Sequence, residues 1–314
     1  MPVFWIVVIL IAGWVVEIVV SWLIFRRLIS TYVISYTETG ALAAMEKLLK
    51  AGYSVTSDPL GEFISDKTEI PKIFEDYRQH IEKLGALKKR HPDKEVSIAI
   101  KPSRFGAEIN KVHFLYYALQ LCNMALAHDI FVWFDAEKIK HRQMVLSALL
   151  FLTRKKRKRN FGLALQSMHS NSSAVLTELA ESGIPVRIIK GAYKDGDIKE
   201  PKAISDYFLL LYRQARNSYM VSGRIAVGTC DSQILDEIAD RGIRYQFLFG
   251  VRADLQEEYL AGGRNVLVYA AWGTFGQARG FIFRRIREGV KMGMLLNFAR
   301  NIFEARRFRK KYGI

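Results

Sequence analysis

Eight short apolar runs alternate with amphipathic stretches along this chain, and this rhythm limits the folds that it can adopt. We predict the runs to be strands, at residues 53–58, 96–101, 130–135, 161–166, 185–190, 224–229, 244–249 and 265–269. The intervening stretches have helical periodicity, and no linker rich in Pro, Gly or Ser interrupts them. Continuous apolar strands separated by helices are typical of parallel sheets covered on both faces. Eight of them predict an α/β fold that closes into a (βα)8 TIM-like barrel.

A doubly wound open sheet has the same alternation of strands and helices. Such sheets bind dinucleotides through a glycine fingerprint directly after the first strand. Here the glycine-rich GTFGQARG at residues 273–280 follows the last predicted strand and has a different spacing. The closed barrel is therefore favoured.

An apolar run at residues 4–25 precedes the first predicted strand and contains one charged residue, Glu17. As a helix it would be about 33 Å long, enough to cross a bilayer. We predict a membrane anchor helix over residues 1–27 and one barrel domain over residues 28–314. Arg26 and Arg27 place the barrel on the cytoplasmic side by the positive-inside rule. Glu17 keeps two alternatives open, a helix in the membrane plane and a buried core helix.

The chain is basic, with 47 Lys and Arg against 31 Asp and Glu and a net charge of +16. Two basic runs, at residues 154–159 and 306–311, have few interleaved aromatic residues, so we expect no nucleic acid partner. Solvated surface and contact with anionic membrane lipid are the two interpretations that remain. Two cysteines exclude a disulfide-stapled scaffold. The six histidines lack the spacing of metal ligands, so we expect no metal site.

Polar residues stand where the predicted strands end. In chain order they are Asp58, Lys101, Asp135, Gln166, Lys190 with Gly191, Thr229, Gly250 and Tyr269. In (βα)8 barrels the carboxyl ends of the strands meet at one face, and the chemistry collects there. The sequence therefore predicts a polar pocket at this end of the barrel.

From about residue 37 to residue 314, motifs at these strand ends resemble those of the flavin-dependent proline dehydrogenases. The matching segments are DPLGE at 58–62, VSIAIKPSRFG at 96–106, FDAE at 134–137, GLALQ at 162–166, VRIIKGAY at 186–193, YQFLFGVR at 245–252, VYAAWG at 268–273 and FRRIREG at 283–289. The resemblance implies a distorted (βα)8 barrel that holds FAD noncovalently. It also implies oxidation of L-proline to 1-pyrroline-5-carboxylate by hydride transfer to the flavin.

The same resemblance assigns roles to individual residues. Asp135 and Arg187 are the expected catalytic residues, Arg187 beside the isoalloxazine, where a fixed cation would stabilise the reduced flavin. The expected substrate-binding residues are Lys101, Tyr193, Tyr269, Arg284 and Arg285. The expected FAD-binding residues are Ala136, Gln166, Lys190, Gly191, Ala192, Thr229 and Cys230. Residue chemistry agrees, since guanidinium forks suit the carboxylate of an amino acid and tyrosines supply flat walls for its ring.

Three positions depart from the family pattern. Cys230 stands where a histidine is usual, Met168 where an aromatic residue is common, and Gly289 where an asparagine is usual. These departures leave the arginine pair intact but permit another cyclic imino acid, such as hydroxyproline, as substrate. They also leave an alternative function, that of a catalytically silent, membrane-bound barrel that binds a ligand. The apolar run suggests a membrane quinone as the electron acceptor.

Overall fold

The computed structural model describes residue 14 and residues 29–314, apart from 62–63, 65, 157–159 and 292–294. The anchor helix predicted over residues 1–27 therefore lies outside the described residues, save for Trp14. Part of the first basic run, residues 157–159, lies outside them too. Among the helices that the structure describes, none combines the length and the apolar character needed to span a bilayer.

Eight parallel strands close into a barrel in sequence order, which confirms the predicted fold. The strands are β1 Ser54–Pro59, β2 Val96–Ile100, β3 Phe131–Phe134, β4 Phe161–Gln166, β5 Val186–Ile189, β6 Ile225–Gly228, β7 Arg244–Leu248 and β8 Asn265–Trp272. The helices are α1 Glu38–Lys50, α2 Ile70–Arg90, α3 Lys111–Ala127, α4 Ile139–Lys156, α5 Ser172–Glu181, α6 Pro201–Ser218, α7 Ser232–Ile238, α8 Ala253–Ala261, α9 Phe275–Lys291 and α10 Leu295–Tyr312.

Strand β8 runs three residues beyond the predicted end at Tyr269. The cause is its partner, because β1 pairs with β8 from Ser54 opposite Leu267 to Pro59 opposite Trp272. An isolated bridge from Ser35 to Trp272 continues the pairing on the segment before α1. The carboxyl end of β8 is thus fixed by two other parts of the chain.

The barrel interior contains a layer of polar side chains, whereas most strand residues that face the helices are apolar. Alternate residues of a strand point to opposite faces, so Thr56 and Asp58 face inward while Val55 and Ser57 face the helices. Inside, Thr56 Oγ1 lies 2.8 Å from Ser97 Oγ and accepts a hydrogen bond of 2.9 Å from Gln246 Nε2. This layer satisfies its own polar groups and forms a floor beneath the charged residues at the strand ends.

The two ends of the described chain meet beside the barrel. Ile34 N donates to Ala271 O at 2.8 Å, which ties the segment before α1 to β8. Arg309 of α10 donates to the carbonyl oxygens of Ser30 at 2.9 Å, Val33 at 2.6 Å and Ile34 at 3.3 Å. We call this arrangement the Arg309 clasp.

Candidate active site

A buried ionic network occupies the mouth of the barrel, and Asp135 is its centre. Its Oδ1 accepts a hydrogen bond from Arg187 Nη2, and its Oδ2 accepts one of 2.6 Å from the Tyr269 hydroxyl. Lys101 Nζ lies 3.6 Å from the same Oδ2. Lys101 and Asp135 follow β2 and β3, whereas Arg187 and Tyr269 lie within β5 and β8. Because the four residues come from four strands, closure of the barrel is what assembles them.

Asp58 adds a second carboxylate to this network. Lys101 Nζ donates to Asp58 Oδ1 and also lies 3.5 Å from the Tyr269 hydroxyl. Asp58 is fully buried and Lys101 nearly so, at 0% and 4% exposed. Two carboxylates therefore share two cations, Lys101 and Arg187, away from water. Removal of any one member would leave a buried charge without compensation.

The network shifts the acidities of its members in different directions. Burial raises the pKa of Asp58, although the ammonium of Lys101 opposes the shift. Burial also acts to raise the pKa of Asp135, but Arg187 and Lys101 outweigh it and hold that pKa below its usual value. Burial, together with the charge of Asp135, keeps the pKa of Tyr269 well above its usual value. The Tyr269 hydroxyl therefore keeps its proton and donates it in a hydrogen bond to the carboxylate of Asp135.

Arg187 is held in place by aromatic faces as well as by Asp135. Its Cζ lies 5.1 Å from the ring centroid of Trp133 and 5.7 Å from that of Tyr269. Trp133 is fully buried, and the absence of a side chain at Gly162 makes room for it, since a Cβ there would come within 2.6 Å of the indole. The guanidinium is thus fixed above the polar floor of the barrel.

Buried donors at the mouth lack partners within the described part of the chain. They are Nε and Nη1 of Arg187, and Nε2 of Gln166, whose side chain is 2% exposed. Such donors are costly unless a bound group accepts from them. A flavin carries acceptor nitrogen and oxygen atoms along its pyrimidine edge, so the donor set fits FAD.

The turns after β4 and β5 are joined by their backbones. Ser167 N donates to Ile189 O at 2.8 Å, and Met168 N donates to Lys190 O at 3.1 Å. Gly191 has a φ of +111°, and a Cβ there would lie 2.1 Å from the Met168 sulfur. Glycine is required at this position by both its backbone conformation and its closeness to Met168. Ala192 continues the turn and is half-buried.

The end of β6 carries Thr229 and Cys230, two residues expected to contact FAD, and lies beside Lys190, which follows β5. Lys190 Nζ donates to Asp231 Oδ2 at 2.6 Å, and Thr229 Oγ1 accepts from Asp231 N at 3.2 Å. Burial acts to raise the pKa of Asp231, but Lys190 outweighs it, so the pKa is lower than usual. Cys230, between Thr229 and Asp231, is exposed. On this side of the mouth, Asp231 thus neutralises the positive charge of Lys190.

A cleft of about 540 Å³ opens on the rim between the loops after β3 and β5. It is lined by Lys138, Ile139, Lys140, Ala192, Tyr193, Lys194, Asp195 and Arg284. The Arg284 guanidinium lies 5.2 Å from the ring centroid of Tyr193. Asp195 Oδ2 accepts from Ile139 N at 2.6 Å and so caps the first turn of α4. The cleft joins basic side chains to an aromatic wall, which suits an anionic ligand.

The structure gathers four expected site residues, Lys101, Asp135, Arg187 and Tyr269, into one network. Tyr193 and Arg284 form a pair on the rim, and Arg285 is the next residue of α9. Gln166, Lys190, Gly191, Ala192, Thr229 and Cys230 lie on the turns after β4, β5 and β6, and Ala136 follows Asp135 and is half-buried. No group of three or more potential metal ligands occurs in the described ranges.

Three residues of the site were not assigned a role from the sequence: Asp58, Trp133 and Asp231. Asp58 had a visible signal, since it ends a strand and begins the DPLGE motif. Asp231 also had one, since it precedes a helix and fits an N-cap. Trp133 had none, because an aromatic residue in an apolar strand predicts only a core position.

A closed (βα)8 barrel with an ionic network at the carboxyl ends of its strands defines the class of TIM-barrel enzymes. Within that class, the sequence profile named "Proline dehydrogenase" matches residues 41–209, more than half of the chain. The chain belongs to the proline dehydrogenase family and is an oxidoreductase.

Curated relatives agree with this assignment. Proline dehydrogenase 1 of Bacillus subtilis subsp. natto is 23% identical over 270 residues, which cover 82% of this chain and 85% of the relative. Proline dehydrogenase 2 of Bacillus subtilis (strain 168) is 23% identical over 79% of this chain and 82% of its own length. Proline dehydrogenase of Deinococcus radiodurans is 26% identical over the same shares of the two chains.

Solved structures share the fold. The proline utilization A (PutA) protein of Bdellovibrio bacteriovorus, inactivated by N-propargylglycine, superposes with a TM-score of 0.74 at 16% identity, covering 88% of this chain and 35% of that protein. A mutant of PutA from Bradyrhizobium japonicum gives a TM-score of 0.67 at 20% identity, covering 82% and 30%. The chain therefore spans about a third of these longer proteins.

Proposed function

We propose that this chain oxidises L-proline to 1-pyrroline-5-carboxylate with noncovalently held FAD, and that it passes the electrons to a membrane quinone. The single observation that carries the proposal is the Arg187 guanidinium, fixed by Asp135 and Trp133 with two buried donor atoms left over for an acceptor. When bound, FAD supplies the hydride acceptor. Gln166, Lys190, Gly191, Ala192 and Thr229 would hold it, with Ala136 and Cys230 at the edges.

The chain's own residues account for substrate binding. Arg284 and Arg285 would grip the proline carboxylate, because planar guanidinium groups form paired hydrogen bonds with carboxylates. Tyr193 supplies the stacked wall that fixes Arg284 on the rim. Tyr269 and Lys101, which also contact Asp135 and Asp58, would form the floor of the substrate pocket. Close packing of these side chains would exclude water from the reacting C–H bond.

If the proposal is correct, the purified protein contains flavin, which gives it a visible colour. The purified full chain should be yellow and should bleach when L-proline is added under argon. The variant Arg284→Met/Arg285→Met should retain its flavin but bleach at least about a hundredfold more slowly, because loss of charged bonds to the carboxylate costs several kcal/mol. Arg213→Met is the matched control, since Arg213 is exposed on α6 and pairs with Glu237 at the surface. A colourless protein would overturn the proposal and favour a silent barrel.

The substrate and the acceptor need separate measurements. Bleaching by trans-4-hydroxy-L-proline at the same concentration tests the alternative substrate, and faster bleaching by it than by proline would overturn the substrate assignment. For the acceptor, the protein in vesicles should reduce a ubiquinone analogue only while proline is supplied. No quinone reduction by a protein that bleaches with proline would overturn the acceptor.

A further inference from the structure

Helix α9 carries an exposed row of aromatic and basic side chains at the catalytic end of the barrel. Phe275 and Phe283 are each 51% exposed, and Arg279 between them is exposed as well. The spacing of four residues places all three on one side of the helix. The Arg279 guanidinium lies 5.8 Å from the Phe283 ring centroid. We call these three residues the α9 row.

The buried side of α9 packs against the segment that precedes α1. Ala278, Phe281 and Ile282 share a buried cluster with Ile29, Tyr32 and Val33. At about 100° per residue, the centre of this buried side is turned by roughly 100° from the centre of the α9 row, so the row lies beside the buried contact and not within it. Helix α9 thus lies between the start of the described chain and solvent.

The position of α9 relates the row to the mouth of the barrel. The helix begins three residues after the carboxyl end of β8, and Arg284 near its middle lines the cleft on the rim. The exposed row is therefore beside the opening through which substrate and acceptor must pass. It is not on the far side of the molecule.

Charge and sequence continuity identify the partner. Helix α9 has five basic residues and one acidic residue, a balance that favours an anionic surface. Exposed aromatic and basic side chains are both typical anchors at a membrane interface, because aromatic rings suit the headgroup level and basic groups pair with anionic headgroups. The apolar run of residues 4–25 ends four positions before Ile29, which packs against this same helix.

We propose that the α9 row is a lipid-docking surface, which inserts into an anionic bilayer and turns the mouth of the barrel towards it. Phe275 and Phe283 enter the boundary between headgroups and acyl chains, and Arg279 pairs with lipid phosphate. A quinone, which is soluble in the bilayer, then reaches the mouth without crossing water. The docking surface extends the proposed membrane function but does not depend on proline as the substrate.

A spin label at the row tests the proposal on the full chain. Phe283→Cys is labelled with a nitroxide in a Cys230→Ser background, because Cys230 is the exposed cysteine and Cys122 is buried. Met220→Cys is the matched control, since Met220 is fully exposed in the loop between α6 and β6, at the opposite end of the barrel. The proteins are reconstituted in phosphatidylcholine vesicles with and without phosphatidylglycerol. Power saturation then compares accessibility to oxygen with accessibility to a water-soluble nickel chelate.

In vesicles with phosphatidylglycerol, the oxygen-to-nickel ratio at position 283 should exceed that at position 220 several-fold, and it should be lower without the anionic lipid. Equal ratios at the two positions, in protein that floats with the vesicles, would overturn the docking surface alone. Shielding of position 283 from both reagents would show that protein covers the row and would also overturn it. Protein that does not float with the vesicles would overturn both the docking surface and the membrane anchor. Bleaching by proline in detergent tests the enzymatic proposal separately, because it requires no membrane.

Discussion

Replacement of Lys101 by methionine should make the stability of the barrel depend on pH in a defined way. Lys101 is the cation that contacts the fully buried carboxylate of Asp58, whose other charged neighbour, Asp135, has the same sign. Methionine retains most of the side-chain volume but removes the charge. Asp58 must then be protonated in the folded protein, because an unpaired buried carboxylate costs more than protonation.

The magnitude follows from the cost of that proton. At pH 7, protonating a carboxyl with an unfolded-state pKa of about 3.9 costs about 1.36 kcal/mol per pH unit, or about 4 kcal/mol. At pH 5 the same step costs about 1.5 kcal/mol. The folded state then binds more protons than the unfolded state, so the lost stability grows as the pH rises. At roughly 3 °C per kcal/mol, Tm should fall by about 12 °C at pH 7 and by about 4 °C at pH 5.

Calorimetry of the full chain in a mild detergent measures these shifts. Asp58→Asn/Lys101→Met is the control, since it has neither charge and should lose the extra pH dependence of the single variant. A destabilisation of Lys101→Met that is the same at pH 5 and pH 7 would refute the reasoning. It would mean that Asp58 carries no charge in the native protein.

Three further predictions concern glycines and a surface carboxylate. Gly191→Ala should lower flavin content, because its Cβ would lie 2.1 Å from the Met168 sulfur at a φ of +111°; absorbance per protein measures this. Gly280→Ala should raise the free energy of unfolding by up to about 1 kcal/mol, since the new Cβ meets no close neighbour; urea titration is the check. A hydrogen bond with His80 lowers the pKa of Glu38 to about 2. Its stabilisation should therefore be lost as the pH falls from about 4.5 to 2, and Glu38→Gln should unfold with less dependence on pH there.

The fold and the centre of the site could be predicted because both depend on local patterns. Apolar runs located all eight strands, and parallel strands in a barrel bring their carboxyl ends together whatever their exact limits. Lys101 and Asp135 each lie one residue beyond a strand, yet their convergence with Tyr269 was expected. Errors of one to three residues in the strand boundaries did not affect this inference.

The pairings within the site depend on register, which a single sequence does not reveal. The Asp58–Lys101 ion pair exists because β1 and β2 pair with Ser57 opposite Ile98, which brings the ends of the two strands together. The contact of Trp133 with Arg187 likewise requires that both face the barrel interior. The extension of β8 arises from its pairing with β1 and the segment before α1. Each of these features joins parts of the chain far apart in sequence.

The Arg309 clasp has a consequence for the order of events during synthesis. Arg309 is 276 positions after Val33, whose carbonyl it binds, and it follows all eight strands of the barrel. During synthesis the carbonyl groups of Ser30, Val33 and Ile34 therefore leave the ribosome long before Arg309, their hydrogen-bond donor. The contact between the segment before α1 and helix α10 can form only after the whole barrel has been synthesised.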